Sequence, residues 1–523
     1  MSYPRNMRRA APHALTTSLA LVCGIGAATP RTDYLPGADH AALAREVLAA
    51  THAAPPLLCG LAARAVDGRF GGWGGFAPPD AVGDASGAVR WALTERPDEA
   101  AVSVLLAGLA ESDDCTRAIA ARLVARSRSE TAVSGLMDAL RSESQGTRAS
   151  AAVGLGLAEA DAAVNPLIAV LSDAAPPVRV AAAWALGSLD DLRAGPALRR
   201  ALGDGEAGVR AGAAHALGRL EDTTAVRALA RLLADDQNAE VRVAAAGALG
   251  RIEHPDAVAA LARALGSDRA AEVRRTAAWA LGQIANSAAV RALSDALPDA
   301  DAEVREMATW ALGQIEDRSA VPALTRRLRE DDVAEVRDRA AWALGQIQDG
   351  AAVEPLVAAL RGDADPAVRR TAAWALGQIE AAAAVSGLTA ALNDTDPDVR
   401  RTAAWALGQI ESRESVEPLS AILRTDGDAE TRRTAAWALG QIEDPAALPA
   451  LQAGLQDADT EVRRTALWAI TQLDGEAARD AYIELLKSDD PELRATAARG
   501  LGRGHVNPRP RPRPRPMPRP FPL

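Results

Sequence analysis

The segment AAWALGQI returns, entire or slightly varied, every 31 or 32 residues through most of this chain, and no other feature constrains the fold so tightly. Complete copies begin at Ala277, Ala340, Ala372, Ala403 and Ala435. With the tryptophan slot as ruler, equivalent positions fall at Arg122, Val153, Trp184, His215, Gly247, Trp279, Trp310, Trp342, Trp374, Trp405, Trp437, Trp468 and Arg499. A chain of 523 residues is too long for one ordinary core. A fixed period of this length predicts a stacked array in which each unit covers its neighbour.

Each period holds two helical segments. In residues 351–380, AAVEPLVAALRG places Val353, Leu356 and Leu360 on one face at helical spacing. Pro355 falls in the first turn, where a missing N–H does least harm. The turn GDADP follows, with Asp365 placed to cap the next helix and Pro366 at its first position. Asp396-Pro397 and Asp490-Pro491 repeat that start signal. The second helix is AVRRTAAWALGQIE. The residue that turns 31 into 32 is expected in the turn between the helices. Composition agrees with close stacking, since Phe and Tyr number three each and the apolar residues are mostly Ala, Leu and Val.

These units resemble the short HEAT-like repeats of the phycobilisome-lyase type, on the pattern VRxxAAxALG followed by AVxxL, over roughly residues 97–504. The resemblance implies an all-α fold, a right-handed α-solenoid of about 13 two-helix repeats, with the second helices lining its concave surface. Tetratricopeptide and ankyrin patterns do not fit: the order here is Trp-Ala-Leu-Gly with almost no Tyr, and TPLH is absent.

Outside the repeats the chain changes character. Arg5, Arg8 and Arg9 precede the weakly apolar run of residues 14–28, so residues 1–29 read as an export signal or a membrane anchor, although the run is short for a span. Any membrane association would pass through that run. A looser likeness, to antirepressor-type membrane metallopeptidases with a last membrane helix before HEAT-like repeats, points the same way, but no HExxH motif is present. Residues 30–96 form a small N-terminal region with two expected helices, about 38–50 and 56–67, and a Gly-rich connector around Trp73. Residues 505–523 are a Pro/Arg-rich tail expected to be solvated, extended polyproline. Cys23, Cys59 and Cys115 have no metal-ligand spacing. A Cys59–Cys115 disulfide would suit an exported protein; inert thiols are the expected state.

On the second helix around Trp405, Val399, Ala403, Ala406, Leu407 and Ile410 cluster within about 100° of arc at 100° per residue. That arc packs on the first helix. The recurring interior glycine, from Gly187 to Gly440, implies either close helix approach or helix termination. Arg401 and Trp405 lie away from the apolar arc as an i, i+4 pair, so the guanidinium can cover the indole. The pair recurs as Arg275/Trp279, Arg370/Trp374, Arg433/Trp437 and Arg464/Trp468, while Glu306 and Asp338 take the arginine place before Trp310 and Trp342. Packing of each indole across repeats accounts for part of this pattern. The expectation taken forward is that these seven tryptophans and five arginines line a partner-binding groove, because Trp and Arg dominate interface hot spots. The preceding arginines (Arg274, Arg305, Arg337, Arg369, Arg400, Arg432, Arg463, Arg494) are expected to pair with acidic turns of adjacent repeats.

Binding is favoured over catalysis. No His-Glu dipeptide occurs, which argues against the di-iron chemistry of deoxyhypusine hydroxylase, built on similar repeats. No metal or cofactor is expected. The net charge of -11 disfavours nucleic acid, including the mode of HEAT-like DNA glycosylases. The expected partner is another protein or a peptide segment. Its own tail is one such segment, because the solenoid carries -16 without the five tail arginines. The alternative is a bilin lyase-like enzyme or chaperone holding a tetrapyrrole in the same groove.

Overall fold

The computed structural model describes residues 39–53, 95–473, 475–488 and 491–502. The expected signal or anchor, the second N-terminal helix, the Gly-rich connector and the Pro/Arg tail lie outside these residues. The first N-terminal helix is present as His40–Ala53. Among the described residues all regular structure is helical, and no helix is long and apolar enough to cross a membrane.

Thirteen helix pairs follow, from Glu99–Gly108 with Asp114–Ser127 to Gly475–Leu485 with Pro491–Gly502. The first helix of each pair is termed A and the second B. The chain is an all-α solenoid of two-helix repeats. It divides into two compact units between Ala225 and Val226, each described here by itself. Within each unit, successive B helices pack side by side along their length, whereas successive A helices meet lightly.

The local signals explain the pairs. Asp365 caps Pro366–Ile379 by accepting from the Ala367 amide, with Pro366 at the first turn. Asp396 does the same for Pro397–Ile410 through the amides of Asp398 and Val399. Each such cap stabilises its helix by about 1 kcal/mol. Sequence periodicity did not anticipate a one-turn 3₁₀ segment before each A helix from Val164–Val170 to Leu448–Gly454, such as Gly350–Ala352, itself capped by Asp349.

The variable residue is also absorbed differently from expectation. Between Val164 and Leu473, repeats of 31 residues have a seven-residue A helix, as in Val385–Ala391, and repeats of 32 have ten residues, as in Val353–Gly362. The extra residue therefore extends the A helix instead of loosening the turn. Every B helix from Ala239–Ile252 to Thr460–Leu473 keeps 14 residues.

The interior glycines are explained by close approach. Gly377 lies inside its helix, and a Cβ there would come within 2.7 Å of Trp405 Cζ3 and 2.9 Å of Ala406 Cβ in the next repeat. Gly250, Gly282, Gly313, Gly345, Gly408 and Gly440 meet the next indole and alanine in the same way. The helix ends two or three residues later, at a left-handed residue that is not glycine: Glu380 has φ 53° and Glu411 φ 54°. Glycine is thus placed where bulk is forbidden, and an ordinary residue takes the strained backbone, at roughly 1–2 kcal/mol each.

The arginine just ahead of the stripe position, Arg400 beside Arg401, forms the expected ladder. Arg400 Nε and Nη2 donate to Asp426 of the next repeat at 2.7 and 2.9 Å, while Nη1 donates to the Asp394 carbonyl of its own turn at 3.0 Å. Asp394 in turn accepts both contacts of Arg369 from the preceding repeat. Equivalent forks join Arg274 to Asp299, Arg305 to Asp331, Arg337 to Asp363 and Arg432 to Asp457. The ladder also extends N-terminally, through Arg148–Asp173, Arg179–Asp204 and Arg242–Asp268. Arg463 and Arg494 donate to the carbonyls of Asp457 and Ser488. The hydrogen bond from Arg274 holds the Asp299 carboxyl below the usual carboxylate range. At Asp426 burial pushes upward, and the Arg400 fork, the Asp428 amide and the charge of Arg432 together hold the carboxyl below its usual range.

Cys115 corrects an expectation. It is disulfide-bonded and buried, not an inert thiol, and its partner lies outside the described residues.

Candidate partner-binding face

The B helices of 271–473 present four positions along one stripe. In Pro397–Ile410 these are Asp398, Arg401, Trp405 and Gln409, spaced three, four and four residues apart. Such spacing keeps side chains on one face of a helix. Seven consecutive B helices repeat the stripe.

The tryptophans are not the outward-facing ladder expected from the sequence. Trp342, Trp405, Trp437 and Trp468 are buried, at 7–9% exposure, and Trp279, Trp310 and Trp374 are half-buried. The physical reason is the glycine of the preceding helix: each ring advances its Cζ3 edge into the gap that the missing Cβ leaves. Burial of so large a ring outweighs whatever an exposed indole would offer in the absence of a partner. The pyrrole nitrogen lies across the indole from Cζ3. Among the described residues no hydrogen bond engages an indole Nε1, and no indole nitrogen belongs to the buried polar atoms lacking a partner. The ring is therefore interior while its N–H opens to solvent.

The arginines expected to stack on these indoles turn to carboxylates instead. Arg275 pairs with Glu303, Arg401 with Asp398 at 2.6 Å, Arg433 with Glu430 and Arg464 with Glu461 at 2.7 Å, and Arg370 approaches Asp398 at 4.0 Å. All five are half-buried. A guanidinium over an indole occurs instead at Arg339 and Trp342, 6.0 Å from the ring centroid and three residues apart. Half-exposed pairs of this kind contribute at most about 1 kcal/mol, so they leave the arginines available to compete for another anion.

Two of the seven stripes carry an acid in place of the arginine. Glu303 and Glu306, then Glu335 and Asp338, place four carboxylates on adjacent B helices. Arg339 reaches Glu306 at 2.9 Å, and the Thr371 hydroxyl donates to Asp338. Burial holds the Asp338 carboxyl above its usual range despite that hydrogen bond.

Sequence reasoning missed the glutamines. Gln283, Gln314, Gln346, Gln378, Gln409, Gln441 and Gln472 stand one helical turn beyond each Trp, all half-buried or exposed. The first six make no hydrogen bond with another described residue; Gln472 donates to Thr471 Oγ1 at 3.2 Å. The signal was available in the LGQI motif itself. A polar residue repeated seven times at one register, with no capping or pairing duty, is not required by the fold. Among the described residues no cluster of three or more His, Cys, Asp or Glu could hold a metal ion.

Comparison with known proteins agrees with the fold. The family model described as HEAT repeats matches eight overlapping stretches that together run from residue 133 to residue 509. A chain from the complex in which Kap95p binding induces the switch loops of RanGDP to adopt the GTP-bound conformation is 16% identical, with TM-score 0.55, over 88% of this chain and 76% of its own. Importin beta, crystallised in ammonium sulfate, is 15% identical with TM-score 0.52, over 89% of this chain and 82% of its own. At these identities the likeness is one of fold. Human deoxyhypusine hydroxylase is 27% identical over 48% of this chain and 96% of its own, but its TM-score of 0.23 is too low to speak even of a shared arrangement. No curated protein matches significantly. With the family model spanning well over half its length, the chain belongs to the HEAT-repeat family.

Proposed function

We propose that this protein is a binding scaffold without catalysis of its own, and that it holds a segment of another protein along the B-helix face of residues 271–473. The observation that carries the reading is the double row of solvent-facing polar groups there: seven indole N–H donors, each followed one turn later by a glutamine carboxamide that, Gln472 apart, makes no hydrogen bond with another described residue. A protein main chain is the partner such a row suits, because it presents amide and carbonyl groups at regular intervals. The buried rings hold the donors rigid, which reduces the entropy lost on binding. The arginines Arg275, Arg370, Arg401, Arg433 and Arg464 flank the row and can exchange local carboxylates for those of a partner. The Kap95p–RanGDP complex, in which a protein of this fold acts on another protein, is in keeping with this use. Nothing favours the tetrapyrrole alternative, because the indoles that would have formed its slot are packed between repeats.

Selection of binding peptides from a displayed random library tests the reading. Peptides that bind the protein should lose at least tenfold in affinity when Gln346, Gln378 and Gln409 are changed together to Ala, with helical content unchanged by circular dichroism. Selected peptides that bind wild type and variant equally would refute it, as would a library that yields none.

A further inference from the structure

Resting on that reading, we infer that the B-helix face is built for a proline-rich, arginine-bearing strand in polyproline conformation, and that its resident occupant is the chain's own segment Pro508–Leu523. Three observations converge. The first is hydrogen-bond chemistry. The segment PRPRPRPRPMPRPFPL has a proline at every second position, eight in all. Proline has a carbonyl but no N–H, so such a strand offers many acceptors and few donors. The face is its complement: an indole N–H only donates, and each carboxamide has two donor hydrogens.

The second is spacing. A polyproline helix has three residues per turn and rises about 3.1 Å per residue, so it repeats every ~9.3 Å. Packed helices stand roughly 8–10 Å apart, so one turn of the strand advances by one repeat. Every third carbonyl can then meet the same pair of side chains, Trp and Gln, on successive B helices.

The third is charge and reach. The last described helix, Pro491–Gly502, ends just before the tail. Residues 503–523 in polyproline form span roughly 65 Å at about 3.1 Å each. The acidic B helices Ala334–Ile347 and Ala302–Ile315 lie five and six B helices back from that end, about 40–60 Å at the usual packing distance. Arg519 falls roughly 50 Å along the strand, opposite Glu335 and Asp338 or Glu303 and Glu306. At the same rise Arg509 and Arg511 fall roughly 22 and 28 Å along the strand, over Glu430 and Asp398, which now pair with Arg433 and Arg401. An exchange of partners along the row, with the displaced arginines turned to solvent, leaves each carboxylate paired. The tail thus covers the face until a competing strand replaces it.

The test uses the full chain. A synthetic Pro508–Leu523 peptide is titrated against wild type and against a variant with Arg509, Arg511, Arg513, Arg515 and Arg519 all changed to Glu. The peptide should bind the variant at least tenfold more tightly than wild type, whose face is already covered. The gain should vanish when Gln346, Gln378 and Gln409 are also changed to Ala. Equal binding to wild type and the charge-reversed variant overturns the inference, as does a gain that ignores the three glutamines. Library-selected peptides separate this failure from that of the scaffold reading. If they bind both forms equally and still need the glutamines, the face binds strands but the tail does not cover it. If they do not need the glutamines, both ideas fall.

Discussion

The B helices of the N-terminal unit and those of residues 271–473 are held together by the same devices and present different faces. In both, an arginine forks onto the aspartate of the next turn: Arg179 to Asp204 in one, Arg400 to Asp426 in the other. In both, a glycine admits the next helix, Gly187 against Ala216 and Gly377 against Ala406. Yet the stripe that reads Arg401, Trp405 and Gln409 in the second region reads Ala211, His215 and Arg219 in Ala207–Arg219 of the first, with His215 exposed, although Trp184 fills the slot one helix earlier. The interlock therefore does not require the tryptophan, and the glutamine contributes nothing to it. What 271–473 adds to the common frame is a surface.

The largest test of this contrast is truncation of an indole. Trp405→Ala, which empties the gap over Gly377, should destabilise its unit by about 3–5 kcal/mol, whereas His215→Ala, at an exposed side chain, should cost no more than about 1 kcal/mol; thermal unfolding resolves the two. Equal losses would show that the slot serves the same role in both regions. Next comes the shared ladder. Asp426→Asn leaves the Arg400 guanidinium without its anion and should cost about 3 kcal/mol, with Asp204→Asn comparable. Because the folded-state pKa values of these aspartates are depressed, their contribution is complete above the unfolded value near 4 and is lost as pH falls through the lower folded value. Wild-type acid unfolding should begin below about pH 4 in both units, and the Asn variant should unfold with a shallower pH dependence.

A smaller effect follows from glycine. Gly377→Ala forces a methyl onto Trp405 and Ala406 and should cost about 1–3 kcal/mol. Gly266, on the A helix Val258–Ser267 with nothing within 4 Å of its would-be Cβ, should gain up to about 1 kcal/mol from the same change. Urea titration of the pair distinguishes close approach from helix propensity. The smallest effect, equal in both regions, is at the helix ends: Glu380→Gly and Asp190→Gly relieve left-handed backbone and should each stabilise by about 1 kcal/mol.

Much of this architecture is legible in the sequence, because the repeat imposes one answer many times over. The register, the thirteen pairs, the Asp-Pro starts and the Arg–Asp ladder all follow from local spacing. The indole orientation does not. Angles around one helix place Trp405 away from the A helix, but they carry no information about the neighbouring repeat, where Gly377 opens the gap that takes the ring. The arginine partners were misread for a related reason: Asp398 and Glu430 lie one turn back on the same helix and offer Arg401 and Arg433 a closer anion than the indole offers a π face. The glutamines were overlooked because a polar residue on an exposed stripe attracts no notice until its lack of partners is visible.

The constant length of the B helices beside A helices of seven or ten residues has a consequence for how such a chain can change. Insertions taken up on the A side leave the rungs of the opposite row evenly pitched. Gain or loss of a whole repeat then adds or removes one rung without disturbing the others. The row behaves as a graduated scale whose length follows the number of repeats.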